Sequence, residues 1–466
     1  MKRGWKIAAA LVAAVFPPLA ALAGDPQAGS KETPVRLVTL EPGHFHAALV
    51  QKYALPGVSP VVQVFAPAGE DLDQHLKRIE SFNSRAVDPT HWVEQVYTGA
   101  DYVDKALGTL DSTPRRANPT VLVLSGNNAR KSEYIGRGIY AGMHVLADKP
   151  MIIKPAQLEA LRKNFAAAEA RGVLLYDIMT ERFEITTMLQ RALSQQRVLF
   201  GTLEKGTPEN PSITKISVHN FSKVVAGAQL KRPEWFFDPE QQGAGIVDVT
   251  THLVDLVQWE AFPGKALSPS DANVLSARRW TTPVTLEQFG RVTGAQNFPG
   301  FLKPYIRDGV LQAPANGEFT YTLKGVHARV SVTWEFEAPP GAGDTHFSVM
   351  RGTRASLVIK QGAEQGYKPM LYIERAASVT PAQHQRALLM AMNEISKTWP
   401  GVDVKREGDH YVVTVPEKYR EGHEAHFTQV TRNFLGYVRA GRLPDWEVPN
   451  MITKYATIMQ AYEKSQ

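Results

Sequence analysis

From Val35 to Arg171, short apolar runs alternate with segments long enough for helices, and this alternation constrains the fold more than any other feature of the sequence. VRLVTL (35–40), VVQVF (61–65), VEQVYTG (93–99), TVLVLSG (120–126) and HVLADKP (144–150) read as strands. Between them lie a helix from about His44, EDLDQHLKRIESF, DYVDKALGTL, ARKSEYIGRGIYAG and the helix 155–171. Continuously apolar strands separated by helices imply a parallel sheet covered on both faces. Right-handed crossovers then give a doubly wound, Rossmann-type architecture.

After Leu174 the period changes. ITKISVHNF, EFTYTLKG, VHARVSVTWEFE, SVMRGTRASLVIK and MLYIERA alternate at period two between Gly, Pro and Asp, as a mostly antiparallel sheet does. A helix is expected over 245–261, and others near 381–398, 424–440 and 449–464, with VDVKREGDHYVVTV as a hairpin. The fold class is therefore α/β. A Rossmann domain (35–173) precedes a C-terminal α+β domain (174–466) with a large, mostly antiparallel open sheet.

MKRGWK, IAAALVAAVF and PPLAALAG have the layout of a secretory signal ending at Ala23, and GDPQAGSKETP (24–34) that of a disordered linker. The apolar run is too short for a membrane span, so no integral span is expected after cleavage. Loss of Lys2, Arg3 and Lys6 would lower the formal charge from +6 to +3. No basic run with interleaved aromatics occurs elsewhere, which excludes a nucleic-acid partner. Cysteine is absent, and with it disulfides, thiolate metal sites and a Cys nucleophile.

The first strand-to-helix turn of a dinucleotide fold carries G-x-G-x-x-G, which lets the backbone approach the pyrophosphate. Here the hexad is Glu41-Pro42-Gly43-His44-Phe45-His46, in which only the middle glycine survives. By local pattern this is as good an ordinary turn as a nucleotide site. The second strand ends at Ala66-Pro67, so Glu70 or Asp71 would have to reach back to the ribose, and NAD and NADP both stay open.

Three later motifs carry a resemblance. VLADKPMIIKP (145–155) resembles the E-K-P signature of the Gfo/Idh/MocA oxidoreductases, with Asp148 for Glu and Lys149-Pro150 matching. SGNNARK (125–131) is similar to that family's T-P-N-x-x-H segment, with Asn128 at the Asn and Lys131 at the His. GAGIVDVTTHLVDL (243–256) is similar to G-G-G-x-x-x-D-x-x-x-H-x-x-D-L. PGHFHAALVQ, the signal and the C-terminal extension resemble a secreted bacterial subgroup. The resemblance implies NAD or NADP held by Pro42, Gly43, His44, Phe45, His46, Ser125, Gly126, Asn127, Asn128, Asp148 and Lys149. It also implies homo-oligomerisation through the C-terminal sheet.

The resemblance places Lys149 at the nicotinamide, where an ammonium stabilises a developing alkoxide. His252 can take the alcohol proton, and Asp248, one turn earlier, can orient it or bind a hydroxyl. Asp255 reads as structural, bonding backbone near the domain junction, and Arg182 has no assigned role. Asp248, His252 and Asp255 share one face of the expected helix and could ligate a metal. Without H-E-x-x-H, however, no metal is expected, and His423-Glu424-Ala425-His426 reads as a solvated helix start. No G-x-S-x-G supports a serine hydrolase. Trp235 is a candidate for stacking on a sugar, Phe236 and Phe237 for packing, and Lys223 and His346 for loop-edge contacts with substrate hydroxyls.

The expectation is a periplasmic or secreted NAD(P)-dependent oxidoreductase acting on a carbohydrate. Soluble cofactor is scarce outside the cytoplasm, so the dinucleotide would be bound tightly and recycled. The alternative is a non-catalytic sugar-binding or scaffold protein on a degenerate Rossmann fold.

Overall fold

The computed structural model describes residues 33–108, 119–225 and 228–466. The signal-like segment 1–23 and all but the last two linker residues lie outside them. Six strands, β1 (Val35–Leu40), β2 (Val58–Phe65), β3 (Val93–Tyr97), β4 (Thr120–Leu124), β5 (His144–Asp148) and β6 (Leu175–Ile178), form one sheet in the order β3-β2-β1-β4-β5-β6. Every pairing in it is parallel. All residues of β4, β5 and β6 are buried, as their unbroken apolar sequences require. The edge strand β3, with Glu94 and Gln95, is largely exposed.

The helices between these strands are α1 (His46–Leu49), α2 (Glu70–Ser84), α3 (Tyr102–Gly108), α4 (Asn128–Tyr140) and α5 (Leu158–Arg171). Helix α2 buries Leu72, His75 and Ile79, a single face at helical spacing. Helix α5 stops at Gly172, whose φ of +64° suits glycine. The order reverses between β1 and β4, so the ligand crevice of such a sheet lies beyond the carboxyl ends of these two strands.

The domain boundary expected at 173/174 falls one strand early. β6 pairs parallel with β5, Ala147 with Asp177 and Asp148 with Ile178. The crossover through α5 has to land on a further parallel strand, and LYDI supplies it. Helix α6 (Ile185–Ser194) follows.

The second sheet has ten strands among the described residues. They are β7 (Ile213–Ser222), β8 (Ala272–Val284), β9 (Val310–Leu323), β10 (Val326–Glu337), β11 (Thr345–Arg351), β12 (Ala355–Gln361), β13 (Met370–Arg375), β14 (Asp403–Glu407), β15 (His410–Thr414) and Ile306–Arg307, which pairs with β9. The order is β8-β9-β10-β7-β11-β12-β13-β15-β14, antiparallel except for β10 with β7. β8 is missing from the strands the sequence suggests, because two register shifts against β9 break its alternation. SVMRGTRASLVIK is two strands, turning between Arg351 and Ala355.

The helix expected from 245 begins at Thr250, as α7 (Thr250–Ala261), and residues 245–249 form the turns leading into it. Those turns are pressed onto β9. A Cβ on Gly245 would lie 1.7 Å from the Ala315 carbonyl oxygen, and one on Gly317 would lie 2.5 Å from the Ile246 Cβ. Glycine at both positions is what lets the Asp248 turn cross the sheet.

Helices α8 (Pro381–Thr398), α9 (His423–Ala440) and α10 (Glu447–Lys464) close the chain. α9 packs on β5, β6 and the 3-10 turn Thr180–Phe183, while α10 packs on α5, α7 and β8. A buried charge network ties them down. Arg182 forks onto Asp255 at 2.6 and 2.8 Å and reaches Glu447 at 2.9 Å. Lys454 lies 2.9 Å from Asp177 and 3.0 Å from Asp255. The Tyr455 hydroxyl donates to Asp177 and accepts from the Met151 amide. Asp255 therefore bonds charged side chains instead of the expected backbone groups. Among the described residues no helix is long and apolar enough to cross a membrane.

Candidate active site

At the exit of β5, Asp148 points its carboxylate under the β1 loop. Its Oδ2 accepts from His46 Nδ1 at 2.9 Å and from Ser125 Oγ at 2.9 Å, with His44 Nδ1 3.8 Å away. Burial pushes the Asp148 carboxyl up, but His46, His44 and Lys131 outweigh it and hold the carboxyl well below its ordinary range. Burial lowers both imidazoles, His44 well below its ordinary value and His46 to about 4.

Lys131 holds the strand exit from below. Its ammonium donates to Asn128 Oδ1 at 2.5 Å and to the carbonyls of Asp148 at 2.8 Å and Pro150 at 3.1 Å. Burial pushes its pKa down to about 8. The Lys149–Pro150 peptide is cis. Lys149 Nζ then lies 2.5 Å from Asp248 Oδ1, both side chains nearly enclosed. Asp248 gives its carboxylate to Lys149 rather than to His252, against the expectation that it orients the imidazole. His252 is buried on the first turn of α7, and its Nδ1 has no partner. Burial first, then the Lys149 charge, pushes its pKa down to about 3.

The loops at the strand-order switch meet closely. A Cβ on Gly126 would lie 2.1 Å from the Glu41 carbonyl oxygen. Glu41 itself has a φ of +47°, a conformation glycine would adopt without strain. The Gly43 amide donates to the Glu41 carbonyl at 2.8 Å, and the His44 amide donates to the Ser125 carbonyl at 3.2 Å. The Glu41 carboxylate is turned inward and accepts from the Tyr102 hydroxyl. Pro42 is buried, and half-buried Phe45 packs against the His44 and His46 rings.

Asn127 and Asn128, both expected at the cofactor, have other partners. Asn127 caps α4 by accepting from the Arg130 amide. Asn128 donates to the Gln242 carbonyl at 2.9 Å, joining the two domains. An Asn at a helix start is a strong cap, which explains the first.

A family model described as "Putative oxidoreductase C terminal domain" matches residues 189–466, more than half of the chain. The chain belongs to that oxidoreductase family. A putative oxidoreductase from Parabacteroides merdae shares 50% identity over 93% of this oxidoreductase and 98% of its own chain, with a TM-score of 0.89. More distant structures share the fold at 15% identity. GenD2 of gentamicin A biosynthesis, in complex with NAD, covers 94% of this chain and 96% of its own with a TM-score of 0.56. KijD10, a 3-ketoreductase from Actinomadura kijaniata with NADP and TDP-benzene, covers 93% and 98% with a TM-score of 0.52. No curated protein matches.

In this oxidoreductase, Trp235 is half-buried. Its indole donates to Asp71 Oδ2 at 2.9 Å, over Gly43. The 3-10 turn Glu234–Phe237 sends Phe236 and Phe237 into the core and the indole toward the first domain. Lys223 lies at a loop edge just after β7, whereas His346 does not. Lys223 is paired with Asp344 at 2.9 Å, and His346 sits in β11 with Nδ1 3.0 Å from Ser217 Oγ. Asp344 also bonds His219 at 3.2 Å and Asn220 at 3.0 Å.

Several residues at the site escape sequence reasoning. Arg232 is buried, donates to the carbonyls of Phe221 and Asn220, and lies 4.4 Å from the Phe236 ring. The segment His423–His426 starts α9 as expected but is not wholly solvated. His426 is buried, the His423 ring is 6.1 Å from that of His46, and His423 Nδ1 lies 3.3 Å from Glu181. Its H-E-A-H pattern carried a signal only for the wrong geometry. What recruits it is the packing of α9 on β5.

Proposed function

We propose that the chain is an NAD-dependent oxidoreductase that takes a hydride from a ring CH–OH of a glycoside or related sugar derivative. The observation that carries the reading is the Lys149–Asp248 contact of 2.5 Å, which joins the two domains at the carboxyl edge of the parallel sheet. GenD2 with NAD and KijD10 with NADP and TDP-benzene support the cofactor and substrate class by likeness of fold.

The residues present fit a dinucleotide at its two ends. Gly43 leaves only hydrogen-sized room against Asp71 Oδ2, 2.9 Å from where a Cβ would be. Asp71, in the first turn of α2, thus stands where an acid holds the adenosine ribose hydroxyls. Burial raises its pKa, and its carboxylate disfavours a 2′-phosphate, hence NAD over NADP. Pro42 to His46, Ser125 and Gly126 form the loops the cofactor would lie against, with Lys149 at the far end.

When bound, the nicotinamide supplies the hydride acceptor. The chain does the rest. Lys149, steadied by Asp248, donates to the substrate oxygen and stabilises its developing negative charge. His252, neutral and with a buried, unpartnered Nδ1, accepts the hydroxyl proton. A tightly held, recycled cofactor, export through the signal-like segment and association through the second sheet belong to the same proposal.

One observation favours the alternative of a sugar-binding protein without turnover. The Gly43 and His44 amides, which would face a pyrophosphate, are bonded to the protein's own carbonyls. The deciding experiment is denaturation of purified protein with mass spectrometry of what is released, followed by calorimetric titration with NAD and NADP. Bound NAD, or NAD binding at least about tenfold tighter than NADP, is expected. Absence of both dinucleotides and of any binding overturns the proposal in favour of the sugar binder.

A further inference from the structure

We infer that His44, His46 and Asp148 form a binding site for a first-row divalent metal ion of the zinc type, which nothing in the dinucleotide reading requires. One donor atom from each lies within 4.8 Å of the others. His46 Nδ1 and His44 Nδ1 are 2.9 and 3.8 Å from Asp148 Oδ2. Donors at about 2.1 Å from a tetrahedral ion stand about 3.4 Å from one another, a spacing these two distances bracket. Two nitrogens and one carboxylate oxygen are also a donor set that zinc-type ions favour, and three protein ligands leave one position open for a substrate oxygen.

The chemistry of the ligands agrees with their geometry. Ser125 Oγ donates to the same Asp148 oxygen and fixes its direction, as outer partners of metal ligands do. Two bonds would be replaced: the His46 Nδ1 proton shared with Asp148, and the long 3.4 Å contact from the His46 amide to His44 Nδ1. Lys149 and Lys131 oppose a dication. The first is paired with Asp248 and the second is bonded to carbonyls. The bound ion would polarise a substrate oxygen brought into its open position. The sequence offers these three residues only as cofactor neighbours, since His44 and His46 sit at the start of α1 and Asp148 ends β5, 102 residues beyond His46.

The test uses untagged, chelator-treated full-length protein titrated with zinc chloride by calorimetry and with cobalt chloride by absorbance, no nucleotide being present. One equivalent of zinc per chain is expected, with a visible cobalt band of tetrahedral intensity. His46→Gln and Asp148→Asn should each weaken zinc binding by at least about 100-fold. His44→Gln, at the more exposed ligand, guards against loss of fold, with circular dichroism run on each variant. Absence of stoichiometric uptake, or uptake unchanged in folded His44→Gln protein, overturns the site. Zinc uptake without NAD binding would leave the site standing and remove only the dinucleotide proposal.

Discussion

Lys149 and Asp248 form an ion pair across the site, and one variant of it separates charge from shape. Asp248→Asn keeps a hydrogen-bond acceptor but no countercharge, and it is expected to lower kcat/KM by about 100-fold with the fold intact. A decrease below about threefold would assign the pair to domain docking alone. His252 makes a second prediction. A base must be unprotonated to act, and burial with the Lys149 charge puts this imidazole at about 3, so its protonated form is scarce above pH 4. The kcat/KM profile should therefore show no acid limb near the ordinary histidine value of about 6.5. A limb at pH 6 to 7 that disappears in His252→Gln would contradict a buried neutral imidazole.

Among the elements, the turn before α7 matters most, because it carries Asp248 from the second domain to Lys149 in the first. Its path depends on Gly245 lying against the Ala315 carbonyl, with no room for a methyl group. Gly245→Ala must move either the turn or β9, at a cost of about 3 kcal/mol or more. Urea denaturation would measure this. Weakened NAD binding in the surviving folded protein would show that the displaced turn also disturbs the junction. Gly300→Ala offers the control for general glycine effects in this domain, since no atom lies within 4 Å of a Cβ there and its φ is not positive.

At the scale of the molecule, the C-terminal helices fasten the two sheets together. Lys454 is fully enclosed between Asp177 of β6 and Asp255 of α7. Removing its charge leaves two buried carboxylates facing each other, so Lys454→Met should cost about 3–5 kcal/mol. Thermal or chemical unfolding would register it as a single transition shifted downward. Two separate transitions would instead show that the domains are stable apart and that α10 contributes little to their union.

The strand pattern, the order of motifs and the placement of Lys149 at a strand's carboxyl end are local properties, legible in the sequence because period and turn chemistry act over a few residues. HVLAD-K-P is such a case: five buried residues end where the chain must leave the sheet. Which groups meet was decided elsewhere. The sequence alone suggested Asp248 for His252, but Asp248 lies on a turn outside the helix and is captured by a lysine 99 residues away. Nothing local in the sequence pairs the Trp235 indole N–H with Asp71, 164 residues away. His426 looked solvated until α9 folded onto β5. Periodicity fixes the face an element presents, whereas partners across the site depend on how two sheets and the terminal helices dock. Only the tertiary structure holds that information.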